Sequence, residues 1–248
     1  MRTSKTQQDK TRRLLLRVAV DLMSRQGFDG TTMKEIARAA ELGDATIYKY
    51  FPSKEKLVLA YFEQQAGDAI ALMQKTRGQQ DFSLQERLQL LLDSLLELLL
   101  ADREFVAIAH RLIQGAPLLL LSQDLPGKAK LRQAFVEMLE QAEVSAEIAP
   151  CGFKNSLAGL MADAVYGLVA YWLRDDSEEF GNTHQLVDLS LGVLVLALQS
   201  GLINKLLDLG GFVLRSQLAR LLQHGPGGGL LELLALTKRG LSAGVAAR

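Results

Sequence analysis

An all-α fold, a small helix-turn-helix head on a larger helical body, follows from three features of this 248-residue sequence. Apolar residues recur at helical spacing along almost the whole chain, and convincing period-2 runs are absent. Residues 31 to 57, TTMKEIARAAELGDATIYKYFPSKEKL, read as a short capped helix, a turn, a second short helix rich in polar and aromatic residues, and the start of a long helix. The remainder, about four fifths of the chain, is leucine-rich and carries no catalytic motif.

Each helix is legible from its ends. Residues 9 to 26 place Leu15, Val18, Ala19 and Leu22 on one face, and Gly27 suits the C-terminal cap with Phe28 tucked beneath it. A basic arm, residues 1 to 13 with Lys5, Lys10, Arg12 and Arg13, is suited to tracking a phosphate backbone or a minor groove. Thr32 and Glu35 have the spacing of a capping box, which starts the next helix. Gly43 closes the turn, Asp44 to Tyr50 form the second short helix, and Pro52 stops it. Ser53 then caps a long helix to about Thr76.

A second capping box, Ser83 to Glu86, opens a helix whose leucines (Leu88, Leu91, Leu92, Leu95, Leu96, Leu99) cover more than one face, as in the middle of a bundle. Further helices are expected over about 102–114, 128–145, 150–174 and 184–208. The breaks fall at Gly115 with Pro117, at Pro126 with Gly127, in the loop DDSEEFGNT and at Gly210 with Gly211, after which a last helix runs to about 223. GPGGG at 225 to 229 reads as a flexible joint. The expected organisation is a helix-turn-helix head over 1–56, a larger helical body over 57–224, and a flexible tail over 225–248.

Charge separates head from body. The sequence is neutral overall, but residues 1 to 60 hold 12 Lys or Arg against 7 Asp or Glu and the rest holds 16 against 21. The basic head is the part expected to meet a polyanion. One cysteine, Cys151, excludes an intrachain disulfide and suits a reducing cytoplasm. The N-terminus lacks the apolar core of a secretion signal. The greasiest stretch, Leu189 to Ile203, is too short and too broken by polar residues and glycine to span a membrane, so it reads as a buried helix. Three separated histidines and one cysteine argue against a zinc site or a thiol triad, and GPGGG lacks the strand and the Lys-Ser/Thr of a phosphate loop. No cofactor, metal or enzymatic activity is implied.

Helix electrostatics point to DNA. Lys54 and Lys56 lie in the first turn of the long helix and Lys34 in the first turn of another, where cations oppose the helix dipole. A phosphate docked on the free amides would make those lysines favourable. Thr46, Lys49 and Tyr50 project from one side of the 44–50 helix while Ile47 and Phe51 face inward, and the Tyr48 hydroxyl can reach a phosphate beside a partly buried ring.

The residues Thr32, Ile36, Ala37, Ala40, Leu42, Tyr48, Phe51, Lys54 and Leu57, and above all IYKYFPSKEKL, closely resemble the TetR family of bacterial repressors over about residues 10 to 60. The resemblance implies a three-helix DNA head, a connecting helix, and an all-helical body that dimerises and binds a small molecule. It further implies that Thr32, Tyr48 and Lys54 contact phosphate and that Asp44, Ala45, Thr46, Lys49 and Tyr50 face DNA. Three residues depart from the family pattern. Glu41 replaces a turn glycine, Gly43 replaces a capping Ser or Thr, and Ala45 replaces a frequent Gly or Pro. These bear on base preference more than on DNA binding. The competing reading is a structural three-helix unit, as in a lipid- or isoprenoid-binding accessory protein of ubiquinone synthesis that shares the fold and lacks DNA function.

In the body, Gly159, Asp163 and Gly167 share a small-residue stripe, and Leu186, Ser190, Val193, Leu194, Ala197 and Gly201 form a comparable one. Small residues let helices approach closely, and the family resemblance implies pairing of two copies on a palindromic operator. Candidate pocket residues are Phe105, His110, Leu112, Phe135 and Met138, then Met161, Asp163, Tyr166, Tyr171 and Trp172. Asp163 is expected to be a buried carboxylate needing a partner. A Leu, Met and aromatic lining suits an apolar or amphipathic effector. Leu118 to Leu121 are a candidate pocket mouth.

Overall fold

Helix ends written into the sequence set the frame of the fold. The computed structural model describes residues 5–115 and 127–224. Helix α1 (Lys5–Gln26) ends at Gly27, whose φ of +78° is left-handed, a conformation glycine adopts without a Cβ clash. Helix α2 (Met33–Ala39) starts at Thr32, where the hydroxyl accepts from the Glu35 amide at 3.2 Å and the Glu35 carboxylate accepts from the Thr32 amide at 2.8 Å. Helix α3 (Asp44–Tyr50) follows Gly43, which supplies no side-chain cap. Helix α4 (Lys54–Lys75) is capped by the Ser53 hydroxyl, and helix α5 (Leu84–Leu100) by the reciprocal Ser83–Glu86 box. Helices α6 (Arg103–Gln114), α7 (Lys128–Val144), α8 (Lys154–Trp172) and α9 (Gly181–Gln199) complete a first unit of residues 1–199. The second unit begins at Ser200 and holds α10 (Leu202–His224). The described residues contain no strand, and no single helix among them is long and apolar enough to cross a membrane.

The head packs around Leu15, Leu16, Ala19 and Met23 of α1, Ile36 and Ala37 of α2, Ile47 of α3 and Leu57 of α4, all essentially without exposure. Each large apolar side chain buried in this way contributes roughly 1.5–3 kcal/mol, so the two short helices α2 and α3 can hold one geometry against α1 and α4. The α5 leucines named above are all buried, as expected of a helix apolar on most sides. Helices α4, α5, α7 and α8 surround the middle of the body. Glu147, in the α7–α8 connection, accepts from the Leu84 amide at 2.5 Å and pairs with Arg87 at 3.3 Å, fixing the start of α5.

Four expectations need correction. Lys5, Lys10, Arg12 and Arg13 lie inside α1 and not on an arm ahead of it. Arg12 pairs with Glu63 at 3.1 Å and Arg13 with Asp68 at 2.7 Å, so both guanidinium groups staple α1 to α4. The helix expected over 184–208 ends at Gln199, breaks at Gly201 (φ +64°), and resumes as α10, which runs straight through Gly210 and Gly211. The left-handed glycine breaks the helix, whereas two glycines held in helical geometry only weaken it, by about 1 kcal/mol each. The 189–203 stretch is half buried: Leu191, Val195 and Leu198 face the core, while Leu189, Val193 and Leu196 are exposed. Asp163 is an exposed carboxylate paired with Lys128 at 2.5 Å. The Leu118–Leu121 run and the 225–248 tail lie outside the described residues.

Candidate nucleic-acid interface and ligand cavity

On α3 the buried side is Ile47, with Phe51 just beyond, and the opposite side presents Ala45, Tyr48 and Lys49 to solvent. Asp44, Thr46 and Tyr50 are half buried at the flanks. Tyr48 is 49% exposed, so about half of the residue is open to solvent. Glu41 adopts φ +56° at the turn, and the amides of Glu41 and Leu42 close back on the carbonyls of Arg38 and Ala37 at 3.0 and 2.8 Å. A glycine position in the family pattern is thus a true left-handed position here, held by a residue with a Cβ.

Lys34 is exposed, and so is Thr32, although its hydroxyl is already engaged with Glu35 at 2.8 Å. The Thr32 bonds hold the Glu35 carboxyl below the ordinary range, so it stays ionised beside Arg38 and Lys54. Lys54 has an internal job that sequence reasoning missed. Its Nζ donates to the Phe28 carbonyl at 2.7 Å and sits 4.3 Å from the centre of the Phe28 ring. This bond fastens the start of α4 to the α1–α2 turn and leaves the other two Nζ protons for a phosphate. It also resolves part of the unfavourable placement of a cation at a helix N-terminus.

Among the described residues, two cavities of the body have walls made largely of hydrocarbon. The larger, of about 450 Å³, is lined by Phe62 and Ala66 of α4, Leu95 and Leu99 of α5, Val106, His110 and Ile113 of α6, Gly127 and Leu131 at the start of α7, and Asp163, Tyr166 and Val169 of α8, with Gln114 and Ala170 also on its wall. Of the sequence-derived pocket residues, His110, Asp163 and Tyr166 meet here. Met161 and Phe135 line the second cavity, of about 230 Å³, between α5, α7, α8 and α9. Phe105, Met138 and Trp172 are packed in the core and line neither. The α4 and α5 lining residues went unrecognised because a leucine facing a void and a leucine facing a neighbour have the same pattern along the chain. Gly127 marks the close approach of α7 to α4: a Cβ there would stand 2.9 Å from the Phe62 carbonyl oxygen, and its φ is +89°.

Electrostatics inside the larger cavity are sparse. His110 Nε2 is buried without a hydrogen-bond partner. Burial, aided by the positive charge of Arg174, pushes the imidazole pKa down and keeps the ring neutral. Burial and the Asp163 charge push the Tyr166 phenol up, so it remains protonated.

Comparison with known proteins agrees with this geometry. Residues 15–61 match the model of bacterial regulatory proteins of the tetR family, and residues 87–213 match a tetracyclin repressor-like C-terminal domain. The chain is 41% identical over 68 residues to the HTH-type transcriptional repressor NicS of Pseudomonas putida, an alignment covering 25% of this chain and 32% of NicS. The chain therefore spans about a third of that relative's length. It is 24% identical over 195 residues to the fatty acid metabolism regulator protein of Bacillus subtilis, covering 77% of this chain and 95% of the relative. The solved fatty acid degradation regulator FadR of Bacillus halodurans shares the fold with a TM-score of 0.54, at 18% identity over 72% of this chain and 96% of that one. With its head matched by one family model and more than half its length by the other, the chain belongs to the TetR family of bacterial transcriptional regulators.

Proposed function

We propose that this regulator binds a palindromic operator as a homodimer, represses transcription from it, and is released when an apolar or amphipathic small molecule enters the larger cavity. DNA contact is assigned to Thr32, Lys34, Asp44, Ala45, Thr46, Tyr48, Lys49, Tyr50 and Lys54. Lys49 and Thr46 read base edges, and Lys34, Tyr48 and Lys54 hold phosphate. Pairing is assigned to α8 and α9, whose exposed Leu160, Leu189, Val193 and Leu196 form an apolar face too large to leave in water. Cβ atoms built at Gly159 and Gly167, both on α8, would meet open space.

The single observation that carries the release mechanism is the double role of α4. Phe62 and Ala66 form one wall of the cavity, while Glu63 and Asp68 on the same helix hold Arg12 and Arg13 of α1, and Lys54 holds the Phe28 carbonyl. A ligand that favours a displaced α4 therefore moves the head as one piece and changes the separation of two heads on the operator. A hundredfold loss of DNA affinity requires about 2.7 kcal/mol of differential binding, within reach of a mostly buried apolar ligand. The volume of about 450 Å³ falls in the range of about 300–1,000 Å³ typical of small-molecule sites. The name of the Bacillus subtilis relative directs the first screen to acyl compounds.

The test is a thermal-shift screen of lipophiles followed by gel shifts on the chain's own upstream DNA. Hits should raise the melting temperature and release the DNA. Ala170→Trp, which fills the cavity from α8, should abolish both effects. Binding to the upstream DNA no tighter than to random DNA in every ligand state would overturn the repressor reading in favour of a lipid carrier of the same fold.

A further inference from the structure

We infer that the larger cavity selects an uncharged amphiphile, an acyl or alkyl chain ending in a hydroxyl, ester, thioester or amide, and that His110 recognises its polar end. This inference rests on the reading of the cavity as the effector site. Hydrocarbon side chains make up most of its wall, so the body of the ligand is apolar. The question is which head group the few polar groups accept.

A carboxylate head is poorly served. No lysine or arginine is among the described residues lining the cavity, and the charged one among them is an acid, Asp163; Arg174, whose charge reaches His110, is not on that wall. Asp163 is held by Lys128 at 2.5 Å, which commits that ammonium group. A buried carboxylate is best served by a paired cation that offsets its lost hydration, and the described lining offers none. A cationic head would have to displace Lys128 from Asp163.

A neutral polar head is well served. His110 lines the cavity and its Nε2 is buried with no partner, a deficit that a bound hydrogen-bonding group removes. The low-dielectric surroundings and Arg174 keep the ring neutral, so Nε2 offers either a lone pair or a proton. A ligand hydroxyl can meet either state. Tyr166 of α8 lines the same cavity and is kept protonated. The discrimination is the general one for sites with a buried unpaired group: the ligand that pairs it binds, and the ligand that leaves it unpaired or brings an unmatched charge does not.

The experiment is calorimetric titration of the full chain, near neutral pH, with dodecanol, dodecanamide and dodecanoate. The alcohol and the amide should bind about tenfold or more tightly than the acid, a ratio equal to about 1.4 kcal/mol. His110→Leu should weaken the alcohol by about tenfold and leave the acid nearly unchanged, while His110→Gln, which restores a hydrogen-bonding end, should recover most of the loss. Dodecanoate binding as tightly as dodecanol overturns the inference. Alcohol binding that Ala170→Trp abolishes but His110→Leu does not touch overturns it while the effector-site reading stands. If no compound binds, or binding survives Ala170→Trp, the effector-site reading falls and this inference with it.

Discussion

Lys54 and Glu41 show how single side chains set the head's geometry. The Lys54 ammonium bonds the Phe28 carbonyl at 2.7 Å, so Lys54→Ala should remove a structural bond as well as a phosphate contact. We expect the variant to lose about 1–2 kcal/mol in urea denaturation and also to bind DNA more weakly with a shallower salt slope. Loss of DNA binding at unchanged stability would restrict Lys54 to phosphate contact. Lys49→Ala, at an exposed position on α3, should leave stability within about 0.5 kcal/mol while changing base preference by about 1–3 kcal/mol in a binding-site selection. Glu41 sits at φ +56°. A non-glycine residue there is disfavoured by about 1–2 kcal/mol, partly offset by the entropy glycine loses on folding. Glu41→Gly should therefore raise stability by about 0.5–1 kcal/mol, readable as a shift in denaturation midpoint.

At the scale of elements, two junctions are set by backbone rather than by apolar area. Gly127 brings α7 against α4, where a Cβ would stand 2.9 Å from the Phe62 carbonyl oxygen at a φ of +89°. Gly127→Ala should destabilise by about 2 kcal/mol or more and should also alter DNA affinity, because the helix it pushes is the one that carries the head. The start of α9 is held by Asp175, whose carboxylate accepts from the amides and hydroxyls of both Ser177 and Thr183 at 2.6–3.0 Å. Those bonds, led by the Ser177 and Thr183 hydroxyls, hold its pKa far below the ordinary carboxylate range. A carboxyl with a depressed folded pKa contributes stability that is present above its unfolded pKa of about 4 and is lost as pH falls through the folded value. Asp175→Ala should lower the melting temperature at neutral pH and flatten its decline below about pH 4, as followed by circular dichroism. A variant curve parallel to wild type would deny Asp175 this role. The α8–α9 loop was legible only as a loop; that one acid in DDSEEFGNT gathers four donors depends on a chain reversal that sequence spacing does not reveal.

The whole molecule depends on surfaces that a single chain leaves uncovered. Leu160, Leu189, Val193 and Leu196 are each 59–69% exposed, so Val193→Arg should convert a dimer to a monomer by light scattering and weaken operator binding by the loss of one head per complex. A folded variant that remains dimeric would remove α9 from the interface. The sequence by itself determined the all-α class, the helix-turn-helix, and the caps at Thr32, Ser53 and Ser83, because each is a local rule acting within four residues. It also determined which faces are apolar, since helical period carries that information. It did not determine what those faces meet. Arg12 and Arg13 looked like an arm for DNA until the fold placed Glu63 and Asp68 beside them. Asp163 looked buried until Lys128 was found at its side on an exposed face. Phe105 and Trp172 looked like pocket walls but fill the core, while Phe62, Leu99 and Leu131 line the void. A cavity is the space that several helices fail to fill, and its position depends on their mutual placement, which no single helix encodes.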